Sequence, residues 1–162
     1  RNHTREFYTL PSIPGPRYLN KPVYVLVGGG TGSAAEECAY NLQTQKRATI
    51  IGEKTWGGAN PGGMYKLSDY FVAFIPTGMA INPITKTNWE HVGVKPDIEM
   101  KSAEALVKTQ IIAIKKSLEN TKDNEWKESL RGLINELESA PTKPSALMQV
   151  LSNAMVQPMT AP

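Results

Sequence analysis

One stretch of the chain decides the fold: VYVLVGGGTGSAAEE, residues 23–37 of the 162-residue sequence. Val23 to Val27 is an uninterrupted apolar run rich in β-branched residues, which predicts a strand covered on both faces. Gly28 to Gly32 predicts a flexible turn, and the small residues after Ser33 predict a helix that lies close to a sheet. Ala48 to Ile51 predicts a second buried strand. Together these segments predict one strand, helix, strand unit of an α/β protein, with its two strands parallel.

The sequence changes character after this unit. Between Gly57 and Gly63, glycine and proline are too frequent for a helix to continue, so we expect turns and short strands. Tyr70 to Ile75 predicts one such strand, ended by Pro76. The middle of the chain is therefore expected to be a β meander.

Two amphipathic helices are predicted after Lys101. Ser102 is the predicted N-cap of the first, and the second is expected to start near Asp123. The apolar residues at helical spacing are Val107, Ile111, Ile114 and Leu118 in the first helix, and Trp126, Leu130, Leu133, Ile134 and Leu137 in the second. We expect an antiparallel pair that packs on the sheet.

Composition and charge exclude several classes of protein. The single cysteine, Cys38, cannot form an internal disulfide, and no apolar run approaches the roughly 20 residues of a membrane span. The formal net charge of +3 comes from the first 35 residues, without the dense Lys and Arg clusters of a nucleic-acid surface. His, Cys and acidic residues show no metal-ligand spacing, so neither a metal nor a cofactor is predicted. The start at Arg1, with no visible signal peptide, predicts a processed product or an excerpt of a longer chain.

The glycine turn and the residues after it support three hypotheses. Ser33 followed three residues later by Glu36 is a capping box, which is a structural feature. The glycine spacing up to Ala35, with Glu53 near the end of the next strand, also matches a dinucleotide-binding fingerprint, although no second crossover helix follows. In the third hypothesis Ser33 is a nucleophile, exposed at a helix start where backbone amides can stabilise an oxyanion.

Four ordered segments carry a resemblance to a known family. They are KPVYVL (21–26), SAAEE (33–37), KRATIIGEKTWGG (46–58) and NWEHVGVKPDI (88–98), within about half of the chain. In these segments the chain resembles the C-terminal half of the catalytic domain of the carboxyl-terminal processing peptidases. That family includes tail-specific proteases and, as a relative, interphotoreceptor retinoid-binding protein. The resemblance implies a fold like that of ClpP and crotonase, a spiral of strand, helix, strand turns, followed here by a C-terminal helical pair.

The resemblance also implies site residues. Ser33 takes the nucleophile position, the backbone amide of Ala34 becomes one oxyanion donor, and Glu90 corresponds to an acid that assists a histidine in tricorn-type relatives. Tail-specific members use a lysine as base six residues beyond the position of Gly52, where this chain has Gly58. The base is therefore expected from an upstream part of the same polypeptide. We interpret His91 as a surface residue.

From the resemblance we expect a serine endopeptidase that acts on a peptide or protein substrate through an acyl-enzyme on Ser33. The missing lysine favours an alternative, a non-catalytic module that binds a ligand or peptide on the same fold. Trp56 and Trp89 could line a substrate groove or pack in the core. The resemblance to this family implies that the protein is exported from the cytoplasm. It is also compatible with a homo-oligomer.

The predicted organisation has four parts. Residues 1–20, with three prolines, form an extended lead-in, and residues 21–100 form the C-terminal half of a peptidase domain. Residues 101–140 form a helical hairpin, and residues 141–162 form a Pro-containing tail with a short amphipathic stretch from Ala146 to Val156.

Overall fold

The computed structural model describes residues 3–139. Its helices and strands are, in chain order, β1 (Tyr24–Val27), α1 (Ala34–Thr44), β2 (Thr49–Gly52), β3 (Gly62–Lys66), β4 (Val72–Pro76), β5 (Ile98–Glu99), α2 (Ser102–Asn120) and α3 (Asn124–Ser139). The mixed α/β class is confirmed. The finer prediction of a ClpP and crotonase-like spiral stays a prediction, as do the four predicted parts of the chain. The predicted tail, with Ala146 to Val156, lies outside the described residues.

The central sheet has three parallel strands in the order β1, β2, β5. Tyr24 to Val27 pair in register with Thr49 to Gly52, which confirms the predicted strand, helix, strand unit. The third strand is reached through an antiparallel hairpin, in which β3 pairs with β4 from Gly62 and Pro76 to Lys66 and Val72. The predicted meander strand is thus present, two residues later at its start than Tyr70.

The core lies between α1 and the sheet. Ala39 of α1 and Ile50 of β2 are fully buried, in one cluster with Val27, Trp89 and Val94. Side chains alternate between the two faces of a strand, which puts the equally buried Ile51 on the other face. Helix α2 contacts β1 and β2, so the short sheet is covered by helices.

The expectation that β1 is covered on both faces is wrong at Leu26. This side chain is 41% exposed and lines a cavity of about 400 Å³ together with Ala105 and Leu106 of α2.

Helices α2 and α3 contact each other as the predicted pair. Leu130, Ile134 and Leu137 are buried, as the spacing predicts, but Trp126, in the first turn of α3, is 53% exposed. Ser102 is the first helical residue rather than the N-cap, which is Lys101. Its hydroxyl donates instead to Glu53. Within residues 3–139, none of the helices combines the length and the apolar character needed to cross a membrane.

Candidate active site

The candidate site forms at the carboxyl ends of β1 and β2, which lie at the same edge of the sheet because the strands are parallel. After β1 the chain makes a tight turn: the Thr31 amide donates to the Gly28 carbonyl (2.9 Å), and the Gly28 amide donates to Thr31 Oγ1 (3.0 Å). The loop after β2 is joined to this turn, since the Trp56 amide donates to the Thr31 carbonyl (3.0 Å). The two loops therefore form one unit around Ser33.

Ser33 has a backbone conformation that favours glycine. Its φ of 54° and ψ of −123° correspond to the first central position of a type II′ turn. The amide of Ala35 donates to the carbonyl of Gly32 (3.2 Å), as such a turn requires. A serine in this conformation stores strain, and strained residues cluster at functional sites. The turn leaves Ser33 exposed directly before α1.

Glu36 is the centre of the site. Its side chain is fully buried, and each carboxylate oxygen accepts two hydrogen bonds. Oε1 accepts from the Thr55 hydroxyl and from the Gly57 amide (2.7 Å). Oε2 accepts from the Ser33 amide and from the Gly58 amide, both at 2.9 Å. One carboxylate thus fixes the residue before α1 and the loop after β2 relative to each other.

The surroundings of Glu36 favour its charged form. Burial raises the pKa of the carboxyl, but the hydroxyl and the three backbone amides that donate to it together hold the pKa below the ordinary 4.5. The group therefore stabilises the folded protein above the ordinary carboxyl pKa. This contribution is lost as the pH falls through the lowered pKa of the folded state.

Glu90 binds the end of the same loop. Its Oε2 accepts from the backbone amides of Ala59 (2.6 Å) and Asn60 (2.8 Å), and these two bonds lower the pKa of the carboxyl. Its Oε1 lies 3.7 Å from Nε2 of His91, whose side chain is exposed as expected. Consecutive amides from Gly57 to Asn60 are thus all held by two carboxylates.

The two tryptophans singled out in the sequence differ in position. Trp89 is buried, and its ring centroid lies 5.3 Å from that of Tyr40, so it belongs to the core. Trp56 is 73% exposed and lies beside Ser33. Its ring is so close to Gly32 and Gly58 that a Cβ atom added at either residue would lie 3.1 Å or 2.8 Å from a ring carbon. Of these two residues, only Trp56 is exposed to a ligand.

The model of peptidase family S41 matches residues 2–100. The chain belongs to peptidase family S41. The predicted membership among the carboxyl-terminal processing peptidases is confirmed, and this assignment favours a peptidase over the dinucleotide hypothesis. Glu53, which that hypothesis needs for a ribose, is instead bonded to Ser102.

Relatives in this family match the same part of the chain. A carboxyl-terminal-processing protease of Synechocystis sp. is 41% identical over 69 residues, 43% of this chain and 16% of that protein. A carboxy-terminal-processing protease of Bartonella bacilliformis is 35% identical over 78 residues, 48% of this chain and 18% of that protein. The chain thus spans less than a fifth of the length of these curated relatives.

A solved structure shows the same fold. The structure of mature CPAF complexed with lactacystin aligns with a TM-score of 0.50 at 18% sequence identity. The alignment covers 87% of this chain and 23% of the CPAF chain.

Three positions of this S41 chain bear on the hypothesis that Ser33 is a nucleophile. The Ala34 amide, the first of α1, has no acceptor among residues 3–139. Within the same residues, no Lys or His side chain is hydrogen-bonded to Ser33. Gly58 occupies the position of the lysine in tail-specific members, and its backbone amide donates a hydrogen bond to the Glu36 carboxylate. The described part of the chain brings together a serine and an unused amide, without a base.

Sequence reasoning placed Ser33 and Ala34 at this edge but missed the full role of Glu36. The capping-box spacing correctly signals the bond from the Ser33 amide. The bonds from Thr55, Gly57 and Gly58 join residues at least 19 positions away in the chain. A signal was available in the short apolar helix itself, since Glu36 occupies a position one turn before the buried Ala39.

Proposed function

We propose that the chain carries the nucleophile of a serine endopeptidase of the C-terminal processing type. The observation that carries the proposal is the exposed Ser33, held in a glycine-like conformation at the start of α1 beside an amide without an acceptor. This arrangement resembles the strained turns that present nucleophilic serines elsewhere. The family assignment supports the same chemistry.

In the proposed reaction, Ser33 Oγ attacks the carbonyl carbon of a peptide bond, and its proton passes to a base. The Ala34 amide stabilises the oxyanion that forms, aided by the positive end of the α1 dipole. Collapse of the intermediate expels the amine, which takes the proton, and leaves an acyl ester on Ser33. Water then hydrolyses the ester and releases the free acid.

The base is proposed to come from a segment of the same polypeptide outside residues 1–162. The proposal is supported by Gly58 at the lysine position and by the absence of a Lys or His contact to Ser33 among residues 3–139. We further propose that Glu90 orients this base, a histidine. Its Oε2 is occupied by two amides, and its Oε1 faces only His91 among the described residues.

A fluorophosphonate probe tests the nucleophile directly. We expect the full polypeptide to be labelled on Ser33, as read by mass spectrometry of its tryptic peptides, and the Ser33→Ala variant to stay unlabelled. A wild-type protein that is not modified at Ser33 would instead support the second candidate, a binding module, which Gly58 at the base position favours.

The role of Glu90 predicts a shift in pH dependence. In Glu90→Gln we expect kcat/KM to fall about tenfold to hundredfold, because a neutral amide does not stabilise a protonated imidazole. The acid limb of the pH profile should move about one unit lower, since removal of a nearby negative charge lowers the pKa of a histidine.

Glu53→Gln, at an exposed carboxylate bonded to Ser102, is the matched control. It should keep the wild-type profile. If Glu90→Gln has lower activity but the acid limb of its pH profile stays where it is in the wild type, Glu90 only holds the loop of residues 59–60 in place.

A further inference from the structure

Trp56 combines a fixed backbone with an exposed ring. Its own amide is bonded to Thr31, and the residues on both sides, Thr55 and Gly57, donate to the buried Glu36. Thr55 Oγ1 also accepts from the Val94 amide (2.6 Å), which ties this segment to the core. The 73% exposure of Trp56 therefore does not arise from a loosely held loop.

The ring lies close to the backbone of two glycines. It lies against Gly32, the residue before Ser33, where an added Cβ would lie 3.1 Å from a ring carbon, and against Gly58, where the distance would be 2.8 Å. The indole thus covers the surface between Gly32, directly before Ser33, and Gly58. Nε1 of Trp56 makes no hydrogen bond to residues 3–139, whereas Nε1 of Trp89 donates to the Gly58 carbonyl.

A large apolar surface on a fixed backbone is suited to binding. Hydrogen bonds fix the backbone on both sides of Trp56, so little backbone entropy is lost when a ligand covers the ring. Aromatic rings supply favourable stacking and apolar contact, which makes tryptophan frequent at binding hot spots. The position next to Ser33 identifies the ligand as the segment of a peptide that flanks the bond to be cleaved.

We propose that Trp56 is a specificity-determining residue that selects peptides with an aromatic or long aliphatic side chain close to the scissile bond. This proposal rests on the proposed function of Ser33. The apolar side chain stacks on the indole while the peptide backbone passes the Ser33 turn. The cavity lined by Leu26, Thr31 and Leu106 lies beside the same glycine turn and is the competing place for that side chain.

Peptide binding to the Ser33→Ala form of the full polypeptide tests this without turnover. The probes are fluorescein-labelled decapeptides in which one Phe is moved along an Ala, Gly and Ser background, with an all-background peptide as reference. We expect one Phe position to bind more tightly than the reference. When Trp56→Ala is combined with Ser33→Ala, the Kd for that peptide should rise about tenfold. The Kd for the reference peptide should rise less than about twofold.

Three further variants make the test specific. Trp56→Phe should restore most of the selectivity, while Trp126→Ala, at another exposed tryptophan, should leave it unchanged. Leu106→Ala should also leave it unchanged, because the Phe does not enter the cavity. Thermal unfolding of each variant confirms that the protein is folded.

The outcomes separate the two proposals. Three results would overturn the role of Trp56, even if the fluorophosphonate labels Ser33. They are a Phe selectivity in Trp56→Ala equal to that of the parent protein, a loss of selectivity in Leu106→Ala instead, and the absence of any Phe preference. Selective binding that depends on Trp56 in a protein whose Ser33 is never labelled would uphold the contact and overturn the peptidase.

Discussion

Ser33→Ala is expected to lower the hydrolysis of a disordered substrate such as casein by at least about 10⁴-fold, because no acyl-enzyme can form without the hydroxyl. Ser33→Gly should be equally inactive. The measurement is the rate of peptide release by the full polypeptide and by each variant at equal concentration. Ser129→Ala, at an exposed serine of α3, is the control and should retain the wild-type rate.

The two inactive variants should differ in stability. Glycine adopts the φ of 54° without strain, whereas alanine does not, so Ser33→Gly should unfold with a free energy about 1 kcal/mol higher than Ser33→Ala. Urea unfolding of both variants measures the difference. Hydrolysis by Ser33→Ala at the wild-type rate would refute the nucleophile, and equal stability of the two variants would refute the strain.

Glu36→Gln is expected to lower the free energy of unfolding by about 3 kcal/mol at pH 7. The substituted amide places an NH₂ group where one carboxylate oxygen accepts two bonds, so donors face donors in a buried site. Glu37→Gln, at the exposed neighbouring residue, should change stability by less than about 0.5 kcal/mol.

The effect of Glu36→Gln should shrink in acid. Below pH 4.5 the Glu36 carboxyl of the unfolded chain takes up a proton while that of the folded protein, whose pKa is lowered, stays charged, so its stabilising contribution falls as the pH falls through the folded pKa. Urea unfolding of wild type and variant at pH 7 and at about pH 3.5 measures the change. A difference that stays constant between these pH values would mean that the charge of Glu36 does not stabilise the fold.

Much of the local structure could be predicted from the sequence because it depends on short-range patterns. The apolar run of β1, the glycine turn and the helix after Ser33 follow one another within 22 residues, and the structure confirms each of them. The spacing from Ser33 to Glu36 likewise predicts a bond that is present. Ser102 shows the limit of such rules, since its hydroxyl binds Glu53 rather than a helix amide.

The exposure of apolar residues could not be predicted in this way. Trp56, Trp89 and Trp126 look alike in a hydropathy pattern, but Trp56 lies over a glycine turn, Trp89 lies in the core and Trp126 is exposed in the first turn of α3. Leu26 is uncovered although its strand is apolar throughout. Burial of a side chain depends on which other helix or strand packs against it. That packing partner is distant in the sequence, so a local pattern does not reveal it.

The sequence by itself determined the strand, turn and helix that present Ser33, since steric preferences and the apolar pattern of neighbouring residues are sufficient for this. The tertiary structure decided that Glu36 is buried between the two loops and that Trp56 is exposed next to Gly32 and Ser33. These arrangements arise only when parallel pairing of β1 and β2 brings Ser33 and Gly58 to one sheet edge, where a single carboxylate can accept hydrogen bonds from both.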